Sequence, residues 1–184
     1  MAIGATIYHA DVSVADIDRS YYADHSLTIA RHPSETEERL MVRLLAFAVF
    51  AADDLQFGRG LSTDDEPDLW RRDLTGLIEL WIDVGLPEEK WLRKACGRSR
   101  QVVVLAYGAG KAEQWWKRNE PDLRRLDNLA VLAMPAAAGR ALAAMGGRSM
   151  RLNVTIQESQ IWVGSGRAET SLQLDVLKAS PATA

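Results

Sequence analysis

The chain has little of what builds disulfide-stapled, zinc-binding or membrane-spanning proteins. Its 184 residues include one cysteine, Cys96, which excludes an intramolecular disulfide and indicates a reducing compartment. The three histidines, His9, His25 and His32, are dispersed and have no cysteine partners, so we expect no zinc site. The longest apolar run, residues 44–52, is too short to cross a membrane. We therefore expect a cytoplasmic protein that does not enter membranes.

The chain also lacks the strong positive charge of proteins that coat nucleic acid. Its formal net charge is -3 and its pI is about 5.7. Residues 53–83 nevertheless carry nine acids against three arginines, whereas residues 87–125 carry ten lysines and arginines. An acidic region beside a basic one suits a metal site flanked by phosphate contacts. The alternative is that two helices present solvated charged faces.

Local patterns in the first third of the chain predict a hairpin followed by a helix. Residues 5–14 and 21–30 alternate between two faces, which is typical of two antiparallel strands joined by a polar turn. Ser34 and Glu37 fit a capping box, and the apolar residues beyond them recur with helical spacing. We therefore predict a long helix over residues 35–54.

The rest of the chain predicts one mixed α/β (α+β) domain over residues 1–184. Unbroken apolar runs at residues 101–107 and 129–134 are typical of parallel strands that helices cover on both faces. The C-terminal part predicts an antiparallel meander of three strands, at residues 150–156, 160–163 and 170–177. Together these elements indicate a mixed sheet flanked by helices, with an antiparallel extension.

One stretch has the residue types of a nuclease metal site. Pro67-Asp68 is followed a short distance later by Glu79-Leu80-Trp81, where an acid-x-basic triplet would complete the pattern. Metal-dependent phosphodiester hydrolysis requires carboxylates around hard cations such as Mg²⁺ or Mn²⁺, and a nearby lysine assists. In this chain both acids are present, but a tryptophan stands where the basic residue is expected.

The same stretch places several of these side chains on one face of a predicted strand. Glu79, Trp81 and Asp83 alternate along residues 77–84 and therefore point to the same side. Asp68 could approach Glu79 from the preceding segment. The alternative is an acidic surface loop whose carboxylates are solvated or paired with nearby basic residues.

Residues 108–111, Gly-Ala-Gly-Lys, resemble part of a phosphate-binding loop. The segment lacks the full spacing of that motif and the serine or threonine that follows its lysine. We interpret it as a turn from a strand into a helix, whose backbone amides are suited to holding a phosphate.

Several longer blocks resemble the YaeQ family. They are residues 31–39, 55–61, 64–67 with Trp70, 80–87, 94–95 and 115–116. The likeness runs from the first predicted strand to the final meander. It implies a bacterial protein with a restriction-endonuclease-like fold, a variant of the PD-(D/E)xK nuclease core. It also implies that nuclease activity is an inference from fold, and fold alone does not give function.

The resemblance assigns roles to individual residues. It implies that Glu38 is the acid carried by the helix, Asp68 the acid of the Pro-Asp pair and Glu79 the acid of (D/E)xK. These three side chains would hold the metal and take part in catalysis.

The residue at the position of the motif lysine differs from the one that active nucleases have there. Trp81 occupies it, and an indole cannot stabilise a phosphorane charge as an ammonium does. Lys94 is the expected replacement, followed by Arg31 or Arg59.

These observations lead to three hypotheses. The first is a monomeric nuclease that depends on Mg²⁺ or Mn²⁺ and cleaves DNA or RNA, with Lys94 assisting. The second is a nucleic-acid-binding or regulatory protein on a degenerate nuclease fold, which would bind through Arg93, Lys94 and Arg98 with an affinity that falls with salt. The third is a module that binds a protein partner through the terminal meander and exposed tryptophans.

Overall fold

The computed structural model describes residues 4–60 and 65–180. Asp64, one of the acids of residues 53–83, and Leu61, the last residue of the block 55–61, lie outside the described residues. Over the described ranges the chain forms four helices and eleven strands in two sheets. The elements are β1 (Thr6–Asp16), β2 (Tyr21–Arg31), α1 (Glu37–Val49), β3 (Gln56–Phe57), β4 (Leu69–Arg72), β5 (Ile78–Val84), α2 (Glu89–Arg98), β6 (Ser99–Ala106), α3 (Ala109–Leu123), β7 (Leu129–Ala133), α4 (Ala136–Ala144), β8 (Ser149–Gln157), β9 (Gln160–Gly164), β10 (Glu169–Gln173) and β11 (Asp175–Lys178). Within this part of the chain, no helix has both the length and the apolarity needed to cross a membrane.

The first sheet joins the two ends of the chain. Its strand order is β10-β9-β8-β1-β2. β1 and β2 form a hairpin in unbroken register from Thr6↔Arg31 to Asp16↔Tyr21, and β8, β9 and β10 form an antiparallel meander. The predicted hairpin and meander are confirmed. β8 pairs in parallel with β1, so the hairpin and the meander form one mixed sheet that is separate from the sheet of the parallel strands.

The second sheet carries the parallel strands. Its order is β11-β7-β6-β5-β4-β3, and β5, β6 and β7 are parallel, as the apolar runs predict. The third strand predicted for the meander, residues 170–177, is in fact two strands. β10 stays in the first sheet, whereas β11 crosses to pair antiparallel with β7 in the second sheet.

Helices fill the space between the sheets and cover the second sheet from outside. α1 packs with α4 between the two sheets, and its residues 40–48 are all buried. α2 and α3 cover the opposite face of the second sheet around a separate apolar cluster that includes Leu92, Val104 and Leu123. The layers are therefore sheet, helices, sheet and helices.

The start of α1 differs from the predicted capping box. The N-cap is Thr36, whose hydroxyl accepts a hydrogen bond from the Arg39 amide at 3.1 Å. Ser34 does not cap the helix, because its hydroxyl is hydrogen bonded to His32 Nδ1 at 2.6 Å. The helix ends at Val49 rather than near residue 54.

The carboxyl ends of β5 and β6 lie side by side because the two strands are parallel. β5 is followed by a turn at Gly85 that leads to α2, and β6 by a turn at Gly108 that leads to α3. In sheets of this kind, ligands bind in the crevice beyond the carboxyl ends of the strands. A cavity opens at this edge of the second sheet.

Candidate functional site

A pocket of about 660 Å³ opens beyond the carboxyl ends of β5 and β6. The end of β5, the loop before β4 and the first turns of α1 and α3 contribute side chains, and α2 forms one wall. The charged and aromatic side chains that line it are Glu38, Arg39, Glu66, Asp68, Trp81, Asp83, Trp91, Lys94, Arg98, Tyr107 and Lys111. Of the predicted site residues, it brings together Glu38, Asp68, Trp81, Asp83 and Lys94.

Asp68 is held in a buried network of charges. Its Oδ1 and Oδ2 accept from Arg39 Nη2 at 2.7 and 2.9 Å, and Oδ2 also accepts from the Val84 amide at 2.7 Å. Arg39 Nη1 donates to Glu35 Oε1 at 3.0 Å, and Arg43 Nη1 donates to the same carboxylate at 2.9 Å. The network ties α1 to β4 and β5, and both Asp68 oxygens are engaged within it.

Arg39 remains charged in this setting. Burial by itself would lower the pKa of its guanidinium, but the charges and hydrogen bonds of Asp68 and Glu35 raise the pKa above its ordinary value. Two arginines thus balance two carboxylates in the network. A sequence signal for this network is the four-residue spacing of Glu35, Arg39 and Arg43, in which Glu35 comes just before α1 and the two arginines lie on one face of the helix.

Asp83 is the neighbour of Asp68 across the sheet. Because Leu69 pairs with Ile82, the next position of the antiparallel ladder sets Asp68 opposite Asp83. Asp83 Oδ2 accepts from Trp81 Nε1 at 2.9 Å. Burial raises the pKa of Asp83 to about 7, and the charge of Asp68 adds to the rise. A carboxyl group with a perturbed pKa in a cleft is typical of functional sites.

Glu79 does not reach the pocket. It lies at the opposite end of β5, where Oε2 is 3.5 Å from Arg71 Nη2 and Oε1 is 4.0 Å from Arg100 Nη1. The structure therefore separates Glu79 from Glu38 and Asp68.

The described residues fit a metal ion poorly. Over residues 4–60 and 65–180, no group of three or more histidine, cysteine, aspartate or glutamate side chains is arranged to hold a metal ion. Asp68 and Asp83 are adjacent, but Arg39 engages both oxygens of Asp68. A metal ion at Asp68 would require Arg39 to withdraw. Binding of Mg²⁺ or Mn²⁺ stays a prediction.

Of the cations predicted to replace the motif lysine, Lys94 is in the pocket. Its Nζ lies 2.6 Å from Asp65 Oδ1 at the exposed rim. Arg98 lines the same wall and stacks over Trp81, with its guanidinium 5.6 Å from the ring centroid. The α2 wall is therefore the positively charged side of the pocket.

Arg31 and Arg59 are used elsewhere. Arg31 donates to the Glu35 carbonyl and to the Tyr8 hydroxyl, and Arg59 pairs with Glu66 at 3.3 Å. Neither lines the pocket.

Sequence reasoning did not select Lys111, which lines the pocket from the first turn of α3. Among the described residues, its ammonium has no hydrogen-bond or ion-pair partner. Gly108 is the N-cap of α3, and no side chain caps the first amides of the helix. The sequence signal for Lys111 is the Gly-Ala-Gly-Lys turn, because backbone amides at the start of a helix suit a phosphate.

Comparison with known proteins identifies the family. A family model described as YaeQ protein matches residues 1–174. Uncharacterised YaeQ proteins of Salmonella typhi and Escherichia coli K12 are 43% and 42% identical over 174 residues, which are 95% of this chain and 96% of each relative. The crystal structure of YaeQ from Xanthomonas axonopodis pv. citri is 52% identical, covers 95% of this chain and 99% of its own, and superposes with a TM-score of 0.92. That of YaeQ from Pseudomonas syringae is 37% identical, covers 96% and 97%, and superposes with a TM-score of 0.91. The chain therefore belongs to the YaeQ family.

Proposed function

We propose that the chain binds a single-stranded segment of nucleic acid in the pocket and does not hydrolyse it. The observation that carries the proposal is the setting of Trp91, which is 37% exposed and lines the pocket. The ammonium groups of Lys90 and Lys94 lie 5.4 and 5.3 Å from its ring centroid. Proteins that bind single strands combine an aromatic face, on which a base stacks, with cations that contact the flanking phosphates.

The opposite wall supports a second phosphate contact. α3 begins at the pocket with no side chain capping its first amides, and Lys111 extends from its first turn. The partial positive charge of a helix N-terminus favours anions. A strand that crosses the pocket would therefore meet cations on both sides, at α2 and at α3.

The size and charge of the site favour a single strand over a duplex. A volume of about 660 Å³ lies in the range that encloses a ligand of nucleotide size. The net charge of -3 contrasts with the strong positive charge that is typical of proteins that hold a duplex backbone.

The absence of hydrolysis follows from how the acids are used. Asp68 is bonded to Arg39 and the Val84 amide, and Glu79 is at the far end of the strand. Trp81 stands where the motif lysine would be, with its indole N–H donated to Asp83. We therefore derive no catalytic step through a metal ion.

Fluorescence anisotropy with labelled single-stranded hexamers tests the proposal. Trp91→Ala should weaken binding about tenfold or more, because stacking of one base contributes about 1–3 kcal/mol. Trp162→Ala is the matched control, since Trp162 is also 37% exposed but lies on β9 of the first sheet. Equal losses in the two variants, or no binding by the wild type, would contradict the proposal.

A second candidate function is a metal-dependent nuclease of the PD-(D/E)xK-like type. The observation that favours it is the pairing of Asp68 with Asp83 beside Glu38 in one pocket, so that Asp83 instead of Glu79 would be the second acid. A bound Mg²⁺ or Mn²⁺ would activate water and neutralise phosphate charge. Lys94 or Lys111 would then stand in for the motif lysine.

Calorimetric titration of Mn²⁺ into the metal-free protein separates the two candidates. The leading proposal expects no binding. The nuclease candidate expects about one or two equivalents, lost in Asp83→Asn and retained in Glu79→Gln. Metal-dependent cleavage of an oligonucleotide that Asp83→Asn abolishes would replace the leading proposal with the second.

A further inference from the structure

The carboxylate of Glu38 is an acceptor without a partner at the pocket. Glu38 lies in the first turn of α1, is half-buried and lines the cavity. Within the described ranges it makes no hydrogen bond and no ion pair. Pockets that bind ligands carry a small number of polar groups that fix the orientation of the ligand, and the half-buried carboxylate of Glu38 is an acceptor in such a position.

A glycine makes room for this carboxylate. A Cβ atom built on Gly139 of α4 would lie 2.1 Å from Glu38 Oε1, far inside contact distance. Gly139 is the one glycine in α4, whose remaining residues are six alanines, one arginine and one leucine. Glycine is a much weaker helix former than alanine. The glycine is therefore explained by the side chain that it accommodates.

An ionised carboxylate can only accept hydrogen bonds. A phosphate group would be repelled by Glu38, and its natural contacts are with Lys94, Arg98 and Lys111. The part of a bound strand that lies against Glu38 must therefore carry a donor. A nucleoside offers two kinds: the 2′-hydroxyl of ribose, which distinguishes RNA from DNA, and the exocyclic amino group of a base.

We propose that Glu38, seated in the gap left by Gly139, is a specificity subsite that accepts a hydrogen bond from the nucleoside part of the bound strand. This inference rests on the proposed function. Gly139 is then a positioning residue, which acts through Glu38 and does not touch the ligand. When a ligand without a donor covers Glu38, the carboxylate loses contact with water and gains no hydrogen bond in return, so the site disfavours that ligand.

The test measures by fluorescence anisotropy how tightly the protein binds pairs of hexamers, and compares the two affinities as a ratio. Uridine hexamers with ribose and with deoxyribose differ only in the 2′-hydroxyl. Deoxyhexamers of adenine, cytosine or guanine carry an exocyclic amino group, which a thymine hexamer lacks. In the wild type, one of these two comparisons should favour the ligand with the donor by about tenfold, as expected for a hydrogen bond to a charged group.

Two single variants should bring the favoured ratio close to one. Glu38→Ala removes the acceptor, and Gly139→Ala fills its seat. Because the atom in the way is the end of a flexible side chain, Gly139→Ala should displace Glu38 without unfolding the protein, which thermal unfolding checks. The double variant should show the same ratio as Glu38→Ala alone, since Gly139 matters only through Glu38.

Matched controls lie nearby in the same kinds of position. Glu37→Ala removes an exposed acid from the same helical turn, and Gly97→Ala adds a Cβ to a helical glycine with no atom within 4 Å. Both should keep the wild-type ratio. Which comparison responds to Glu38 identifies the donor as the sugar or the base.

The outcomes distinguish failure of this inference from failure of the proposed function on which it rests. If the wild type binds no hexamer, the proposed function and the inference both fail. If the wild type binds but discriminates in neither comparison, or if both single variants keep its ratio, the inference alone is wrong and the binding proposal stands.

Discussion

Glu79 and Asp83 lie on the same face of β5, yet the two ends of this strand give them opposite surroundings. The Glu79 side chain is 33% exposed, and Arg71 and Arg100 meet its charge from the adjacent strands β4 and β6. Asp83 lies in the pocket, accepts a hydrogen bond from the Trp81 indole, and has a pKa that burial raises to about 7.

The difference follows from which end of a parallel strand an acid occupies. At the carboxyl end of β5 and β6 the chain leaves the sheet for loops and helix starts, which creates a cavity. At the other end, the hairpin to β4 and the start of β6 bring arginines to the surface. The chemistry available to an acid therefore depends more on the strand end than on its spacing from a Pro-Asp pair.

Removing one carboxylate near each end of β5 should produce the largest difference, which is a difference in the free energy of unfolding. Asp68→Ala leaves Arg39 and the Val84 amide without their buried acceptor and should lower the free energy of unfolding by about 3–5 kcal/mol. Glu79→Ala removes only exposed ion pairs and should change it by about 0.5 kcal/mol or less. Urea unfolding of both variants measures the contrast, and similar losses would refute it.

The pH dependence of the free energy of unfolding should also differ between Asp83 and Glu79, the acids at the two ends of β5. Because the folded protein keeps the Asp83 proton that the unfolded chain has released, Asp83 makes stability fall as pH rises from about 4 to about 7. Asp83→Asn should be more stable than the wild type at pH 8, by about 1–4 kcal/mol, and converge with it near pH 4. Glu79→Gln should follow the shape of the wild-type curve. If the free energy of unfolding of Asp83→Asn changed with pH in parallel with that of the wild type, the buried, proton-binding role of Asp83 would be contradicted.

Removing a cation at the pocket and removing one at the opposite end of the sheet should have different effects on single-strand binding, and this difference should be the smallest of the three. Lys111→Ala at the pocket should weaken single-strand binding for every sequence and reduce the magnitude of the salt slope by about 1. Arg100→Ala, beside Glu79, should leave affinity and slope unchanged. Anisotropy titrations at several salt concentrations measure both quantities. A slope that changes equally in the two variants would mean that the phosphate contacts are spread over the surface.

The sequence predicted much of the fold because apolar periodicity reports local structure directly. The buried helix α1, the hairpin of β1 and β2, and the parallel strands β6 and β7 were all predicted near their observed positions. The pairing partners of the strands could not be predicted in this way. The parallel pairing of β1 with β8 joins segments about 140 residues apart, and alternation does not indicate which strand lies alongside which.

The site was predicted only in part, for a similar reason. The spacing of the motif selected Glu79, but the register that places Leu69 opposite Ile82 is set in three dimensions and brings Asp83 to Asp68 instead. Glu38 and Lys94 line the pocket, and Lys111 joins them from the distant turn at Gly108. The engagement of Asp68 by Arg39 depends on how α1 packs between the sheets, which no local pattern encodes.

The most direct test of the account follows the indole N–H resonances of the six tryptophans while an unlabelled single-stranded hexamer is added to ¹⁵N-labelled protein. Single Trp→Phe variants assign the signals. We predict saturable shifts for Trp91 and Trp81, which line the pocket, and no shift for Trp162 on the first sheet. Shifts at Trp162 with Trp91 and Trp81 unmoved would place binding elsewhere and contradict the account.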